Sequence, residues 1–387
     1  MNKKKILGVN KNVFYLSLVS LFNDFSSEMV YSIMPVFLTR VLGAPIWFVG
    51  FLEGFAEALN NILKIFSGRL ADYLNRRKIL AVFGYSISTL TRFFLYLVNN
   101  FWQILVLRVL DRVGKGLRDA PRDALIYLFS EKEQLNKLYN FHRAFDTIGA
   151  ILGPIVGFIL LNYFLQLNYR LLFLIASLLG FLTILTFIFV EDKKENYSKN
   201  KKFIFSLKIF PANLKLYLIS FFLFSLGYFP LSFTLLRIQT IDSSLKTLPL
   251  FYFIFNFFFV IFAFPIGKLA DKYGERLMLK LGFIFAILSF LIFSIPNNLL
   301  IFPAIVLLSL SLALIDGIKV VYLGKNIAQE YLATAQGTLN SLYGFGQLFG
   351  GLIGGLIWTK LNFTYAFIYG CFLILMSLIL IDLALRK

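Results

Sequence analysis

The chain has 387 residues, 59% of them hydrophobic and 15% charged, with a formal net charge of +18. A soluble domain carries about 25% charged residues and at most about half apolar ones, so these proportions exclude a soluble globular protein. Apolar stretches of roughly twenty residues recur from end to end, each long enough to cross a ~30 Å hydrocarbon layer, without the short alternating segments of barrel strands.

The basic start, MNKKK, is followed by a full-length apolar segment holding Asn23 and Asp24, so a retained helix is expected there rather than a cleaved leader. Twelve spans are expected, at 13–39, 47–70, 79–98, 102–128, 138–163 and 171–190, then at 216–236, 248–270, 277–295, 301–323, 333–358 and 363–385. They divide into a six-helix bundle at 1–190 and another at 216–387. The connector at 191–215 is charged, then basic and amphipathic, suited to lie on anionic lipid. If the N-terminus is cytoplasmic, the connections on that side hold 24 Lys and Arg against 5 on the other. Both termini are therefore expected in the cytoplasm. The positive charge thus belongs to membrane orientation and not to nucleic acid. The Phe, Ile, Lys and Asn bias suggests a prokaryote, hence its plasma (inner) membrane. Cys371 stands alone, so no internal disulfide is possible, and His142 alone builds no metal site; no cofactor is expected.

The second span ends in SGRLADYLNRRK (67–78), and the eighth ends in IGKLADKYGERL (266–277). Gly68 and Gly267, Asp72 and Asp271, and Arg77 and Arg276 are each 199 positions apart (267 − 68, 271 − 72, 276 − 77). Two equivalent halves in the same orientation are what a parallel-repeat transporter needs. The glycine lets a helix end approach a neighbour, and the Asp and Arg can bond a facing helix terminus or each other.

The repeated G-x-L-A-D-x-x-x-x-R resembles the signature loop of the major facilitator superfamily. That resemblance implies an all-α membrane protein of twelve helices in two pseudo-symmetric six-helix bundles, working by alternating access as a monomer on a small molecule. It also implies an inner gate: Gly68, Asp72, Arg76, Arg77, Gly267, Asp271 and Arg276 in the loops, with Arg118, Arg122 and Asp146 beside them. Asn75 stands where the family has Gly, and Glu275 where it has a basic residue. In the fifth span, Gly149, Gly153, Pro154 and Gly157 form G-x-x-x-G-P-x-x-G, a flat face for helix packing with a bend. The pattern resembles that of exporting antiporters, and a plain packing motif explains it as well.

Charges inside spans are the most informative feature, since each isolated one costs at least about 2.5–3.5 kcal/mol near the bilayer centre and must pair or line a wet cavity. Asp24 and Glu28, Glu53 and Glu57, and Arg108 and Arg112 are each four apart, hence each pair shares a helix face. At 1.5 Å per residue Asp24, Glu57, Asp111 and Arg112 lie at similar depth, about 15 Å in. Carboxylates one turn apart in low dielectric resist joint ionisation, so Asp24, Glu28, Glu53 and Glu57 are candidates for a proton site. Arg108 and Arg112 would be counter-charges or ligands for an anionic group. A permanent salt-bridge lattice is the competing reading. Asn60, Asp111, Tyr228, Asn256, Asn340 and Gln347 complete the candidate substrate contacts; Phe221, Phe222, Phe224, Tyr228 and Phe229, with Phe253, Phe255 and Phe257, could wall a second-half cavity, although lipid-facing packing is the expected role of most of them.

Together these point to a proton-coupled exporter of a small amphipathic or anionic organic compound. Its partners would be that compound, protons and lipid. The alternatives are an importer or uniporter of an organic anion, a metal or metal-chelate exporter, and a non-transporting assembly or sensory protein. No nucleophile, base and orienting group stand together as an enzyme requires.

Overall fold

The computed structural model describes residues 5–74, 77–129, 135–192, 210–240, 247–327 and 331–385. A hairpin precedes the first span: β1 (Lys5–Ile6) pairs antiparallel with β2 (Val9–Asn10) across Leu7 and Gly8, at φ 50° and 76°. Two successive left-handed residues make the turn whose twist suits a two-residue hairpin, easy for Gly8 and strained for Leu7. The Asn10 side chain then accepts from the Asn12 amide and starts α1 (Lys11–Tyr31).

The remaining crossings are α2 (Ile46–Leu74), α3 (Arg77–Leu95), α4 (Phe101–Phe129), α5 (Leu135–Ile159) and α6 (Tyr169–Thr186). Then come α7, built from Ala212–Gly227 and Leu231–Gln239, α8 (Leu248–Tyr273), α9 (Glu275–Ser294), α10 (Ile301–Lys325), α11 (Leu332–Lys360) and α12 (Phe363–Leu385). The first crossing is finished by a short helix, Met34–Val36, and a π turn, Phe37–Val41. Pro35 sits in the first turn of that short helix, where a missing N–H is harmless. The fold is thus an all-α, twelve-helix membrane protein. Among the described residues, seven of the helices are apolar and long enough to span a membrane on that ground alone, and α8, bent by 44° at Pro265, makes an eighth. The four that fall short are α1, α2, α4 and α11. These four carry most of the charged and amide side chains within the spans.

The chain forms two compact units. The first comprises Met1–Phe37 and Ile62–Asn200; the second comprises Leu38–Asn61 and Lys201–Lys387. In the first, α1 packs on α5 and α6, while α3 packs on α4 and α6. In the second the same pairings recur six helices later: α7 on α11 and α12, and α9 on α10 and α12. One packing plan is therefore used twice. The core of the first unit joins Val13, Leu16 and Val19 of α1 to Ala81, Tyr85, Leu125, Ile126 and Phe187. It is closed below by a clasp in which Glu191 meets Lys11 (2.8 Å) and Asn12, whose side chain accepts the Glu191 amide at 2.9 Å. The Lys11 hydrogen bond, followed by that of Asn12, holds the Glu191 carboxyl below its ordinary range.

Small residues set the close approaches. Gly153 on α5 faces α1, where an added Cβ would lie 2.7 Å from the Phe25 carbonyl oxygen and 2.9 Å from the Met29 amide nitrogen. Gly149 and Gly157 meet Leu21 and Met29 of the same helix, and Pro154 is buried within α5. In the second unit, Gly50 and Gly54 of α2 lie against Gly351 and Gln347 of α11 in the same fashion. The aromatic side chains of α7 fill the core of this unit. Phe224 lies 4.5 Å from Phe283, centre to centre, and Tyr228 is stacked between Phe224 (4.9 Å) and Phe290 (5.7 Å). Tyr228 therefore packs inside the bundle and lines neither of the two cavities described below.

The second copy of the repeated loop does not make the close approach its glycine suggests. A Cβ on Gly267 would meet nothing within 4 Å, because this exposed end of α8 is carried off by the bend at Pro265. Asp271 is exposed, and Arg276 reaches Asp382 on α12 instead (3.1 Å), a carboxylate it shares with Lys280. Glu275 pairs with Lys325 of α10. In the first copy, Gly68 and Asp72 fall on the last turns of α2, Arg77 is buried at the start of α3, and Arg76 lies outside the described residues, as does most of the 191–215 connector.

Candidate functional site

Two polar constellations are built, one in each unit. In the first unit, α4 presents Arg108, Asp111 and Arg112 on one face, all buried. Asp111 Oδ2 accepts from the Tyr31 hydroxyl of α1 at 2.7 Å and lies 3.7 Å from Arg112 Nη1. The Arg108 guanidinium sits 4.1 Å above the Tyr31 ring, and that of Arg112 5.3 Å from it. Arg92 of α3 donates to Ser26 Oγ (2.9 Å) and to Asn23 Oδ1 (2.7 Å), and Asn23 in turn donates to Asp24 Oδ1 at 2.8 Å. Asp24 is thus tied through one amide to a buried guanidinium. Glu28 follows one turn later, half-buried, its Cβ beside Gly153 of α5. Tyr31, Arg92, Arg108 and Asp111 border a cavity of about 20 Å³, room for a single water.

Further along α4, Arg118 donates to Ser88 Oγ (2.6 Å) and lies 3.8 Å from Asp119. Arg122 is bound to Asp123 at 2.9 Å and reaches Ser20 Oγ (3.3 Å) and the Tyr85 hydroxyl (3.4 Å). His142 Nε2 stands 3.4 Å from the same Ser20 hydroxyl, and Asp146 lies 4.0 Å from Arg143. These groups form an ion-pair layer between α1, α3, α4 and α5.

The larger cavity lies in the second unit and has a volume of about 330 Å³. Its polar wall comes from Glu53, Glu57 and Asn61 of α2, Asp316 and Lys319 of α10, and Asn340, Tyr343 and Gln347 of α11. Pro230 and Leu231 at the break in α7, with Leu312, supply the apolar part. Helical spacing explains the set: 53, 57 and 61 follow one stripe of α2, and 340, 343 and 347 one stripe of α11. The glycine contacts between these two helices bring the stripes together. Asn61 Nδ2 donates to Glu57 Oε1 at 3.5 Å, and Lys319 Nζ lies 2.5 Å from Asp316 Oδ1.

Of the residues singled out from the sequence, Glu53, Glu57, Asn340 and Gln347 therefore meet in one cavity. Asn60 is buried and Asn256 on α8 half-buried, neither lining either cavity, and Tyr228 is in the aromatic core. The sequence does not single out Asn61, Tyr31 or Tyr343, whereas Arg92, Asp316 and Lys319 stand out in it as charges inside spans, with no site role assigned to them. Asp316 and Lys319, three apart on one span, are the second-half charges that this cavity uses. Among the described residues no group of three or more His, Cys, Asp or Glu is placed to hold a metal ion.

The family model described as Major Facilitator Superfamily matches residues 16–260 and 217–386, essentially the whole span of helices. The chain belongs to the Major Facilitator Superfamily. It is 33% identical over 385 residues to an uncharacterised MFS-type transporter, MJ1317, of Methanocaldococcus jannaschii, covering 97% of this chain and 95% of the relative. It is 26% identical over 168 residues to the multidrug resistance protein MdtH of Blochmanniella pennsylvanica, across 43% of this chain and 40% of that one. Among solved structures, the nucleoside transporter NupG superposes with a TM-score of 0.85 at 14% identity, over 97% of this chain and all of the other. As a facilitator the protein is a multi-pass secondary transporter for a small molecule and not an enzyme.

Proposed function

We propose that this facilitator exports a small amphipathic organic compound in exchange for protons. The observation that carries the reading is the 330 Å³ cavity in which Glu53 and Glu57, one turn apart on α2, share a wall with Asp316 and with three amide side chains. Carboxylates opening on a cavity can pass a proton to solvent when cargo takes over their charge partner, which is the requirement for exchange. The partial likeness to a multidrug resistance protein and the Gly149–Gly153–Pro154–Gly157 face both favour export. In this reading Asp24 and Glu28 form a second proton-accepting pair, the α4 ion-pair layer with Asp72 and Asp271 gates the cytoplasmic side, both termini face the cytoplasm, and residues 1–190 and 216–387 act as the two transport domains.

Proteoliposomes with an imposed pH gradient test it. Gradient-driven accumulation of a compound from an amphipathic panel is expected for the wild type. Glu57→Gln should abolish accumulation against a gradient while sparing downhill exchange. Undiminished accumulation in Glu57→Gln, Asp24→Asn and Arg112→Ala alike would overturn the coupling site. A second reading, passage of an organic anion, draws on Arg92, Arg108 and Arg112 gathered around the single carboxylate of Asp111. It predicts that Arg112→Ala, and not Glu57→Gln, removes transport.

A further inference from the structure

Asp316 and Lys319 stand three residues apart on α10 and meet at 2.5 Å. The same ammonium lies 4.7 Å from the centre of the Tyr343 ring on α11. A carboxylate and an aromatic face converging on one point make a receptor for an organic ammonium, the ring quadrupole attracting the cation that the carboxylate neutralises. Lys319 fills this receptor from within the protein. Its main chain is pinned, since its carbonyl accepts the Tyr217 hydroxyl of α7 at 2.8 Å, so only the four-carbon stem is left to move. Asp316 remains open, with 43% of its side chain exposed against 14% for Lys319. The cavity wall carries three carboxylates, Glu53, Glu57 and Asp316, against the one ammonium.

We propose that the recognised end of the cargo is an organic cation, an amine or quaternary ammonium, and that it binds by replacing the Lys319 ammonium between Asp316 and Tyr343. The inference rests on reading this cavity as the cargo site. Lys319 is then a tethered competitor. It neutralises Asp316 between cargo molecules, and a small hydrated cation gains nothing by displacing it. A cation with an apolar group attached gains the burial of that group on Leu231 and Leu312.

The purified full-length chain in detergent is titrated with benzyltrimethylammonium and, separately, with phenylacetate, an anion of similar size, following binding by thermal shift. The cation is expected to bind and the anion to bind at least tenfold more weakly, a difference of about 1.4 kcal/mol or more. Lys319→Gln, which removes the competitor, should tighten cation binding by about tenfold. Lys319→Arg, which keeps a cation on a stem of similar length, should leave it within about threefold of the wild type. Asp316→Asn should lose cation binding whether or not Lys319 is also replaced. The inference is overturned if Lys319→Gln weakens cation binding or leaves it unchanged, or if phenylacetate binds comparably and loses affinity with Lys319. No proton gradient enters this measurement. Export that runs normally while Lys319→Gln has no effect on binding sinks this inference alone, whereas cation binding as described without any gradient-driven flux sinks the export reading alone.

Discussion

The contact between α5 and α1 admits a quantitative test through Gly153→Ala. The new methyl would sit 2.7 Å from Phe25 O, 2.9 Å from Met29 N and 3.0 Å from Glu28 Cβ, where ordinary contact begins at 3.4 Å, so the helices must part by up to 0.7 Å (3.4 − 2.7). Two of the three obstructing atoms are backbone and cannot rotate away. Overpacking of this kind costs about 1–3 kcal/mol, and the higher helix propensity of alanine returns about 1 kcal/mol. The net loss, about 0–2 kcal/mol, lowers the melting temperature by up to roughly 8 °C at the sensitivity of a large domain. Gly317→Ala on α10 is the internal control. Its added Cβ meets nothing within 4 Å, so only propensity acts and the melting temperature should hold or rise. The three tryptophans provide the fluorescence signal for thermal unfolding in detergent. Equal melting temperatures for the two variants would refute the claim that this glycine face fixes the position of the helix bearing Asp24 and Glu28.

Other expectations can be checked in the same preparation. Tyr31→Phe removes a 2.7 Å hydrogen bond to the Asp111 carboxylate and should cost about 1.5–3 kcal/mol. Tyr31→Leu also removes the ring under Arg108 and should cost about 0.5–2 kcal/mol more; equal melting temperatures would deny the ring its part. Because the clasp to Lys11 lowers the Glu191 carboxyl below its ordinary range, its stabilisation is complete above that range and is lost as pH falls through the lowered value. Glu191→Gln should therefore narrow the difference in melting temperature between neutral and acid pH, and an unchanged difference would show that the clasp does not form. Asp382→Asn deprives both Arg276 and Lys280 of their shared partner and should lower stability more than Arg276→Ala, each by no more than about 1 kcal/mol for so exposed a site. The reverse order would contradict the sharing.

Which helices cross, and that the chain repeats its plan after six of them, was legible in the sequence, because apolar length and the twice-used G-x-L-A-D phrase are one-dimensional signals. The small-residue face of α5 was legible too, although nothing in the linear order names α1 as the helix it meets. Depth could be counted along each span, and it put Asp24, Glu57, Asp111 and Arg112 at one level. Azimuth could not be counted. Asp24 turns out to be tied to Arg92 through Asn23, whereas Glu57 faces the same cavity as Asp316. Aromatic residues carry the same ambiguity: Phe224 and Tyr228 read alike whether they face cargo or, as found, the core between α7 and α9. The glycine of a repeated motif suggested crowding at Gly267, yet proline two residues earlier redirected the helix into open space.

The interruption of α7 has a physical corollary for how cargo is held. Pro230 has no N–H to offer the Leu226 carbonyl, and Leu231 resumes the helix only at the cavity wall. Backbone left without its helical partners is tolerated at membrane depth only beside water or protein, and this break borders a cavity of about 330 Å³, roomy enough for ordered water. Cargo entry is then an exchange in which ordered solvent leaves as an apolar surface arrives, and the calorimetric mark of such an exchange is a negative change in heat capacity on binding.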